Sequence, residues 1–304
     1  MKRFLKDVKN NKVLLAMTLP AVIYIIMFSY IPMFGIIIAF KDYNYRSGIF
    51  GSKWVGLKNF EFLFKSGDLY VILRNTIGYN IVFILLGIAL AVALAVLYDA
   101  LGKSRLIKLN QTLSILPHFL SIVVIGYFVN SFINTDKGLI NQFLTSMGEE
   151  QVNWYSEPKY WPYILTFVKM WMTVGWNSVI YFSTIKGFNS DYFEAACVDG
   201  ATWWQRIRHI TLPLLKPTII VLLIMSIGGI MSSGIDLFYI IPRNSGALYS
   251  VTSTVDTYVY NGLLKSSNMG MTSATSVFQS VVEFILVVIT NAVVRRVSPE
   301  DSMF

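Results

Sequence analysis

Long apolar runs alternate with shorter polar segments along the whole chain, and six of these runs have about the length needed to cross a lipid bilayer. A transmembrane helix requires about 20 consecutive apolar residues. Backbone groups in hydrocarbon must satisfy their own hydrogen bonds, and the runs lack the apolar-polar alternation of a membrane β-barrel, so helices are predicted. The predicted spans are 13–40, 77–97, 109–133, 161–185, 214–235 and 271–294. We therefore expect an all-α polytopic membrane protein with six transmembrane helices, in a single domain over 1–304.

The first run follows five basic residues, as the apolar stretch of a secretory signal peptide does. Its apolar stretch is too long for a signal sequence, and no small-residue cleavage site follows it. We interpret it as an uncleaved first helix, tilted or broken near Pro20 or Pro32.

The composition supports a membrane protein and excludes several other classes. Apolar residues make up 55% of the chain, charged residues 14%, and mean hydropathy is +0.57. A soluble domain usually has about 25% charged residues. Cys197 alone cannot form an internal disulfide, and with His118 and His209 it is too little for a zinc site. The net charge of +8 does not indicate nucleic acid, because the basic residues lie mainly between apolar runs, where they orient a membrane protein.

The distribution of Lys and Arg predicts the orientation. With a cytoplasmic N-terminus, the inside segments are 1–12, 98–108, 186–217 and 295–304, and their Lys/Arg density is about twice that of the outside segments. Both termini are therefore predicted to be cytoplasmic. The basic outside segment 41–76 weakens the asymmetry.

The largest inside segment carries a helix–turn–helix pattern. Asp191 is predicted to cap a short helix, with Glu194 three residues later closing a capping box. Gly200 allows the backbone to turn. Pro213 and Pro217 fit either the first turn of the helix that enters the membrane next or a kink in that helix.

This segment resembles the signature of permease subunits of type I ABC importers. The pattern is E-A-A-x-x-x-G, nine residues, then I-x-L-P, and its positions are Glu194, Ala195, Ala196, Gly200, Ile210, Leu212 and Pro213. The resemblance implies that 186–213 is a cytoplasmic coupling loop whose short helix docks on a separate ATPase. The coupling residues implied are Glu194, Ala195, Ala196, Asp199, Gly200 and Ala201. The structural alternative is that Glu194 only caps a helix, since Glu and Ala are common helix formers.

Other segments resemble the polysaccharide-permease branch of the same family. They are 30–44, 54–60, 74–76, 116–119 and 256–260. The resemblance implies import of oligosaccharides or complex sugars across a bacterial cell membrane. The implied partners are a second permease subunit in a heterodimer, a cytoplasmic ATPase dimer and an extracellular sugar-binding lipoprotein. No cofactor is expected on this chain, because ATP and Mg would bind the partner ATPase.

Polar residues recur at helical spacing inside the spans. Three faces are predicted: Lys169, Thr173, Trp176 and Asn177; Ser226, Gly229, Ser233 and Asp236; Ser276, Gln279, Ser280 and Glu283. Sugars are bound by hydroxyl hydrogen bonds and aromatic stacking, so the candidate substrate-path residues are Asn80, Trp176, Asn177, Asp236, Tyr239, Gln279 and Glu283. Helix packing is the alternative role for each of them, and Lys169 could simply pair with Glu283.

The sequence contains no complete nucleotide-binding loop. Gly102-Lys103-Ser104 is a fragment of one, but Leu97 stands where the first glycine is required. Energy is thus expected from another chain. One alternative is an ion-coupled secondary sugar transporter with Lys169, Asp236 and Glu283 as relay charges. The other is a membrane-embedded enzyme, which would need clustered carboxylates or histidines at a membrane face, and the sequence contains no such cluster.

Overall fold

The computed structural model describes residues 11–65, 67–102, 105–265 and 269–297. The basic residues before Asn11, the C-terminal residues after Val297, and Lys103 and Ser104 of the phosphate-loop fragment lie outside these ranges. The chain divides into two compact units, one of residues 1–66 and 262–277 and the other of residues 67–261 and 278–304.

The described residues are predominantly helical. The α-helices are α1 (Lys12–Ile25), α2 (Ile31–Met33), α3 (Gly48–Gly51), α4 (Lys58–Lys65), α5 (Asp68–Ala100), α6 (Arg105–Ile115), α7 (Ile122–Ile133), α8 (Leu139–Ser146), α9 (Trp161–Lys186), α10 (Ser190–Val198), α11 (Trp203–Arg206), α12 (Leu212–Gly228), α13 (Ile235–Ile240), α14 (Tyr249–Thr252), α15 (Val255–Lys265) and α16 (Met269–Val297). Two-residue strands β1 (Lys41–Asp42) and β2 (Lys53–Trp54) pair antiparallel. Short 3₁₀ turns occupy Phe34–Phe40, Leu116–Phe119, Trp154–Ser156, Pro158–Tyr160 and Gly246–Leu248.

Two π-helical turns each precede a proline. Ile26–Tyr30 joins α1 to α2 ahead of Pro32, and Ile207–Thr211 joins α11 to α12 ahead of Pro213. Proline lacks an N–H and its ring clashes with the carbonyl four residues earlier, so the widened turn relieves that clash. The predicted irregularity near Pro32 is present, whereas Pro20 lies inside α1 without interrupting it.

In the first unit, the end of the first span is held by side chains. The Lys41 ammonium donates to the carbonyls of Ile49 and Phe50, at 2.7 and 3.0 Å. The Asn59 amide donates to the carbonyls of Ala39 and Lys41, both at 2.9 Å. The residues around Asn59 that resemble the polysaccharide-permease branch therefore have a structural role, because these contacts close the hairpin.

In the second unit, α9 packs along α5 and organises two apolar clusters. One includes Tyr79, Phe83, Trp161, Leu165 and Phe238, and the other Ala91, Ala95, Tyr181, Ile185 and Leu215. At Gly175 of α9 a Cβ atom would overlap the Ser114 carbonyl of α6. Glycine at this position therefore permits backbone-to-backbone packing of the two helices.

Five of the six predicted spans correspond to helices or helix pairs that are long and apolar enough to cross a bilayer. Among the residues that the structure describes, four such helices are continuous, over Lys12–Phe40, Asp68–Ala100, Trp203–Gly228 and Met269–Arg296. The fifth is a pair, Ile107–Phe119 and Ile122–Ile133, bent by 100°. The predicted span 161–185 forms α9, which has 26 residues but a lower hydropathy than these. The described chain thus confirms the helical fold without confirming the count of six spans.

Two predicted spans differ from the structure. Range 109–133 is not one straight helix, because Pro117 and the extended residue Leu120 interrupt it. Range 214–235 is also wrong at its C-terminal end: the helix ends at Gly228, and 229–234 are non-helical. The predicted polar face from Ser226 to Asp236 therefore does not exist as one helix face.

Candidate functional site

The helix predicted at the signature loop is α10, and its N-cap differs from the prediction. Asn189 is the N-cap residue, and its side-chain oxygen accepts from the Asp191 N–H at 3.0 Å. Asp191 instead lies in the first turn, where its charge favours the positive end of the helix dipole. The predicted capping box of Asp191 and Glu194 is therefore wrong, because the cap is Asn189 and the helix starts two residues earlier than predicted, at Ser190.

The C-terminus of α10 ends in a Schellman motif that explains the signature glycine. The Ala201 N–H donates to the Ala196 carbonyl at 2.9 Å, and the Gly200 N–H donates to the Cys197 carbonyl at 3.1 Å. Gly200 has φ +74, in the left-handed region that glycine adopts without a Cβ clash. The turn predicted at Gly200 is present, and the spacing from Ala196 to Ala201 follows from this motif.

α10 is largely exposed in the described chain. None of its residues is buried, and Val198 at its end is 88% exposed. Glu194 and Ala195 are exposed, Ala196 is half-buried, and Asp199 is exposed at the C-cap. A short helix with so little intramolecular packing needs another surface to hold it.

A second helix begins directly after the turn. Thr202 and Gln205 form a capping box, in which the Gln205 carboxamide oxygen accepts from the Thr202 N–H at 2.7 Å. The Arg206 guanidinium donates to the Cys197 thiol sulfur at 3.0 Å, linking the two helices. From Trp203 the helical segment continues to Gly228. Pro213 lies in the first turn of α12, as predicted, and Pro217 lies inside that helix.

A cleft of about 570 Å³ lies between α10 and the ends of α5 and α9, and its lining includes Glu194 and Arg206. The Lys186 ammonium and the Asp99 carboxylate form an ion pair at 2.6 Å that joins these two helix ends. A movement of α10 would therefore take place next to the contact that joins the long helices α5 and α9.

The second group of candidate residues surrounds residues 229–234, which we term the unwound segment. The Asn80 amide of α5 donates to the Ile230 carbonyl at 2.8 Å. The Gln279 amide of α16 donates to the Met231 carbonyl at 3.0 Å. Both side chains thus replace helical hydrogen bonds that the break removes.

Asp256 completes the support of the unwound segment, although it was not among the predicted site residues. One carboxylate oxygen accepts from the Ser233 and Gly234 N–H groups, at 2.7 and 3.0 Å, and from the Ser233 hydroxyl. The other accepts from the Gln279 amide at 3.1 Å. The sequence showed Asp256 only within a branch-specific segment, and no spacing connected it to Ser233.

The remaining path candidates are distributed along the spans. The Trp176 ring is stacked on His118 at 4.7 Å between centroids, and Phe119 meets it edge-on. Asn177 lines a small cavity with Ser226. His118 belongs to the segment 116–119 that resembles the polysaccharide-permease branch, and its contact with Trp176 joins α9 to the turn between α6 and α7.

Three further candidates lie apart from this pair. Asp236 is exposed in the first turn of α13, and the Tyr239 ring contacts Tyr260 edge-on at 5.0 Å. One Glu283 carboxylate oxygen is buried without a hydrogen-bond partner. In the described ranges no ion pair joins Glu283 to Lys169, so the alternative that these two simply pair is wrong.

Comparisons with known proteins give a consistent family. Residues 87–299 match the model of the family described as binding-protein-dependent transport system inner membrane component. The polygalacturonan/rhamnogalacturonan transport system permease protein YteP of Bacillus subtilis is 33% identical, over 98% of this chain and 92% of that protein. Protein LplB of the same organism is 31% identical, over 96% of this chain and 91% of that protein.

Solved structures agree with the sequence relatives. A chain of a bacterial ABC transporter that imports the acidic polysaccharide alginate has a TM-score of 0.89 and 31% identity, covering 97% of this chain and 99% of that one. A chain of the alginate transporter in complex with a pentasaccharide-bound periplasmic protein has a TM-score of 0.87 and 30% identity, with 97% and 98% covered.

Family membership also settles the general class of the protein. The family consists of permease subunits that have no catalytic site, and ATP hydrolysis takes place on a separate chain. The chain therefore belongs to the binding-protein-dependent transport system inner membrane component family, as a multi-pass permease subunit of an ABC importer in the cell membrane.

Proposed function

We propose that this chain forms half of the translocation path of an ATP-driven importer of oligosaccharides or complex sugars. The relatives named for polygalacturonan, rhamnogalacturonan and alginate transport support a saccharide substrate. A second permease subunit supplies the other half of the path, and an extracellular sugar-binding lipoprotein delivers the sugar. The ion-coupled alternative gains no support, because the family model describes binding-protein-dependent transport.

The observation that carries the proposal is the exposed helix α10, closed by the Schellman motif at Gly200. In the proposed assembly α10 is the coupling helix and docks in a groove of a cytoplasmic ATPase dimer, which binds ATP and Mg. Glu194 pairs with a basic group of the ATPase, and the small side chains of Ala195 and Ala196 allow close approach. Asp199, Gly200 and Ala201 fix the end of the helix. Both termini are cytoplasmic in this orientation.

Transport follows an alternating-access cycle. ATP closes the ATPase dimer and moves α10, and the ion pair between Lys186 and Asp99 passes that movement to α9 and α5. The spans open outward to receive the sugar, and hydrolysis resets the inward state. The helix Trp203–Gly228, which starts beside α10 and ends at the unwound segment, connects the ATPase side to the path.

We divide the path candidates into two kinds by the contacts that they make. The Asn80 and Gln279 amides donate to carbonyls of the unwound segment, and we propose that they shape the path rather than bind the sugar. Trp176, Asn177, Asp236, Tyr239 and Glu283 remain candidates for sugar contact.

Charge reversal in α10 tests the coupling role. Glu194→Arg should leave membrane insertion intact but abolish co-purification with the ATPase and ATP-dependent sugar uptake, because it replaces an attraction by a repulsion. Glu149→Arg, in an exposed loop outside the described helices, is the matched control and should keep both. Unchanged uptake by Glu194→Arg would contradict the coupling role.

A further inference from the structure

The six predicted spans contain two Lys or Arg residues, Lys169 and Lys216. Lys216 is the third residue of its span, whereas Lys169 lies well inside 161–185. In the described part of the chain its ammonium has no carboxylate within ion-pair distance. The contact observed for it is the Phe83 ring, whose centroid is 5.9 Å away. A half-buried cation in a membrane span is costly unless it faces an aqueous path or an anionic ligand.

An aromatic surface lies on the same side of α9. Trp176 follows Lys169 by seven residues, which places it on the same helix face, about 10.5 Å along the axis. The indole is 43% exposed, and the His118 ring lies nearly parallel to it, with an interplanar angle of 8°. Phe119, which is 71% exposed, extends this aromatic surface.

These two features match different parts of one ligand. An ammonium pairs with a carboxylate, and an extended aromatic surface accepts the apolar face of a pyranose ring. The acidic side chains of the same unit do not neutralise Lys169: Asp256 is engaged by the unwound segment, and Glu283 forms no ion pair with it in the described ranges.

We propose that the path recognises carboxylated oligosaccharides, with Lys169 pairing with a uronate carboxylate while another sugar ring of the same oligosaccharide stacks on the pair of Trp176 and His118. This inference rests on the proposed function and narrows its substrate class. The distance of about 10.5 Å between the two positions, from the rise of about 1.5 Å per helical residue, suits contacts with sugar units that are not directly bonded.

Direct binding to the intact transporter tests the inference without the binding protein. The complex of this chain with its permease and ATPase partners is placed in lipid nanodiscs, and binding of a galacturonate trisaccharide and of its methyl ester is measured by calorimetry. The wild type should bind the acid at least tenfold more tightly than the ester. Lys169→Met should remove that difference, Lys169→Arg should keep most of it, and the exposed-residue control Lys159→Met should not change it.

A separate variant tests the proposed stacking of a sugar ring on Trp176. Trp176→Leu should weaken binding of the acid and of the ester by the same factor, since stacking does not depend on charge. If it instead reduces assembly with the second permease and leaves sugar binding unchanged, the aromatic surface is a subunit interface and this half of the inference is wrong.

Two outcomes would overturn the charge assignment: equal binding of acid and ester by the wild type, or an unchanged preference in Lys169→Met. Either result would leave the proposed transport function standing, because that function is tested separately by Glu194→Arg. Should Lys169→Met fail to assemble, Lys169→Gln and the Lys169→Arg comparison give the same discrimination.

Discussion

The two polar regions of the molecule, α10 and the unwound segment 229–234, are stabilised in opposite ways. In α10 the hydrogen bonds that end the helix come from its own flanking residues, Asn189 and Gly200, and the outer surface is left free. In the unwound segment, side chains of other helices bind the carbonyls of Ile230 and Met231 and the N–H groups of Ser233 and Gly234. A locally closed element can dock and move as a body, whereas an element held by several helices responds when any of them moves.

The strongest test of this difference is Asp256→Ala. The change removes the acceptor of the Ser233 and Gly234 N–H groups. Ser233 is buried, and a buried unsatisfied group costs about 1–3 kcal/mol. We expect a clear drop in the unfolding temperature of the purified chain in detergent and loss of transport. Faster amide exchange should appear at 229–234 by mass spectrometry, with little change at α10.

Asp236→Ala provides the matched control for stability, since this nearby carboxylate is exposed. Its unfolding temperature should be close to that of the wild type. Equal destabilisation by both variants would contradict the role of Asp256 as the support of the segment.

The next largest effect is expected from Asn80→Ala and Gln279→Ala. Each variant removes the amide that donates to one of two consecutive carbonyls, those of Ile230 and Met231. The lost hydrogen bond should lower the free energy of unfolding by about 1–3 kcal/mol. If the segment responds as a unit, the double variant should deviate from additivity by about 0.5 kcal/mol or more. Unfolding temperatures of the four proteins complete the cycle, and additive shifts would mean that the two amides act independently.

In α10, Gly200→Val should separate coupling from stability. The left-handed backbone at Gly200 costs a residue with a Cβ about 1–2 kcal/mol, and this cost falls on the turn alone. We expect loss of sugar-stimulated ATPase activity in the assembled transporter with a nearly unchanged unfolding temperature. Gly246→Ala is the control, since a Cβ there meets open space at an ordinary φ. A large loss of stability would show that the turn supports the whole helix bundle.

The same contrast explains what could be predicted from the sequence. The turn at Gly200 was predictable because its cause lies within six residues, from Ala196 to Ala201. The end of the helix at Gly228 was not, because apolar residues continue to Ile230 and Met231 and the compensating donors lie far away in sequence. The 100° bend before Ile122 was missed for a similar reason: hydropathy is continuous across it. The prediction of Asp191 as the cap is wrong because Asn189, two residues earlier, can also form a cap, and in the structure it caps the helix.

The smallest effect is expected from Thr202→Ala, which tests how locally α10 and α11 are stabilised. The change removes the Thr202 hydroxyl from the capping box with Gln205, a loss of about 0.5–2 kcal/mol for a helix cap. Amide exchange should accelerate at Trp203–Arg206, while exchange at 229–234 stays as in the wild type. Thr112→Ala is the control, because its hydroxyl only bonds back to the Lys108 carbonyl within one helix and such bonds stabilise little. If exchange also accelerated at 229–234, the loss of the cap would destabilise the helix Trp203–Gly228 along its whole length. The α10 region and the unwound segment would then be energetically coupled rather than separately stabilised.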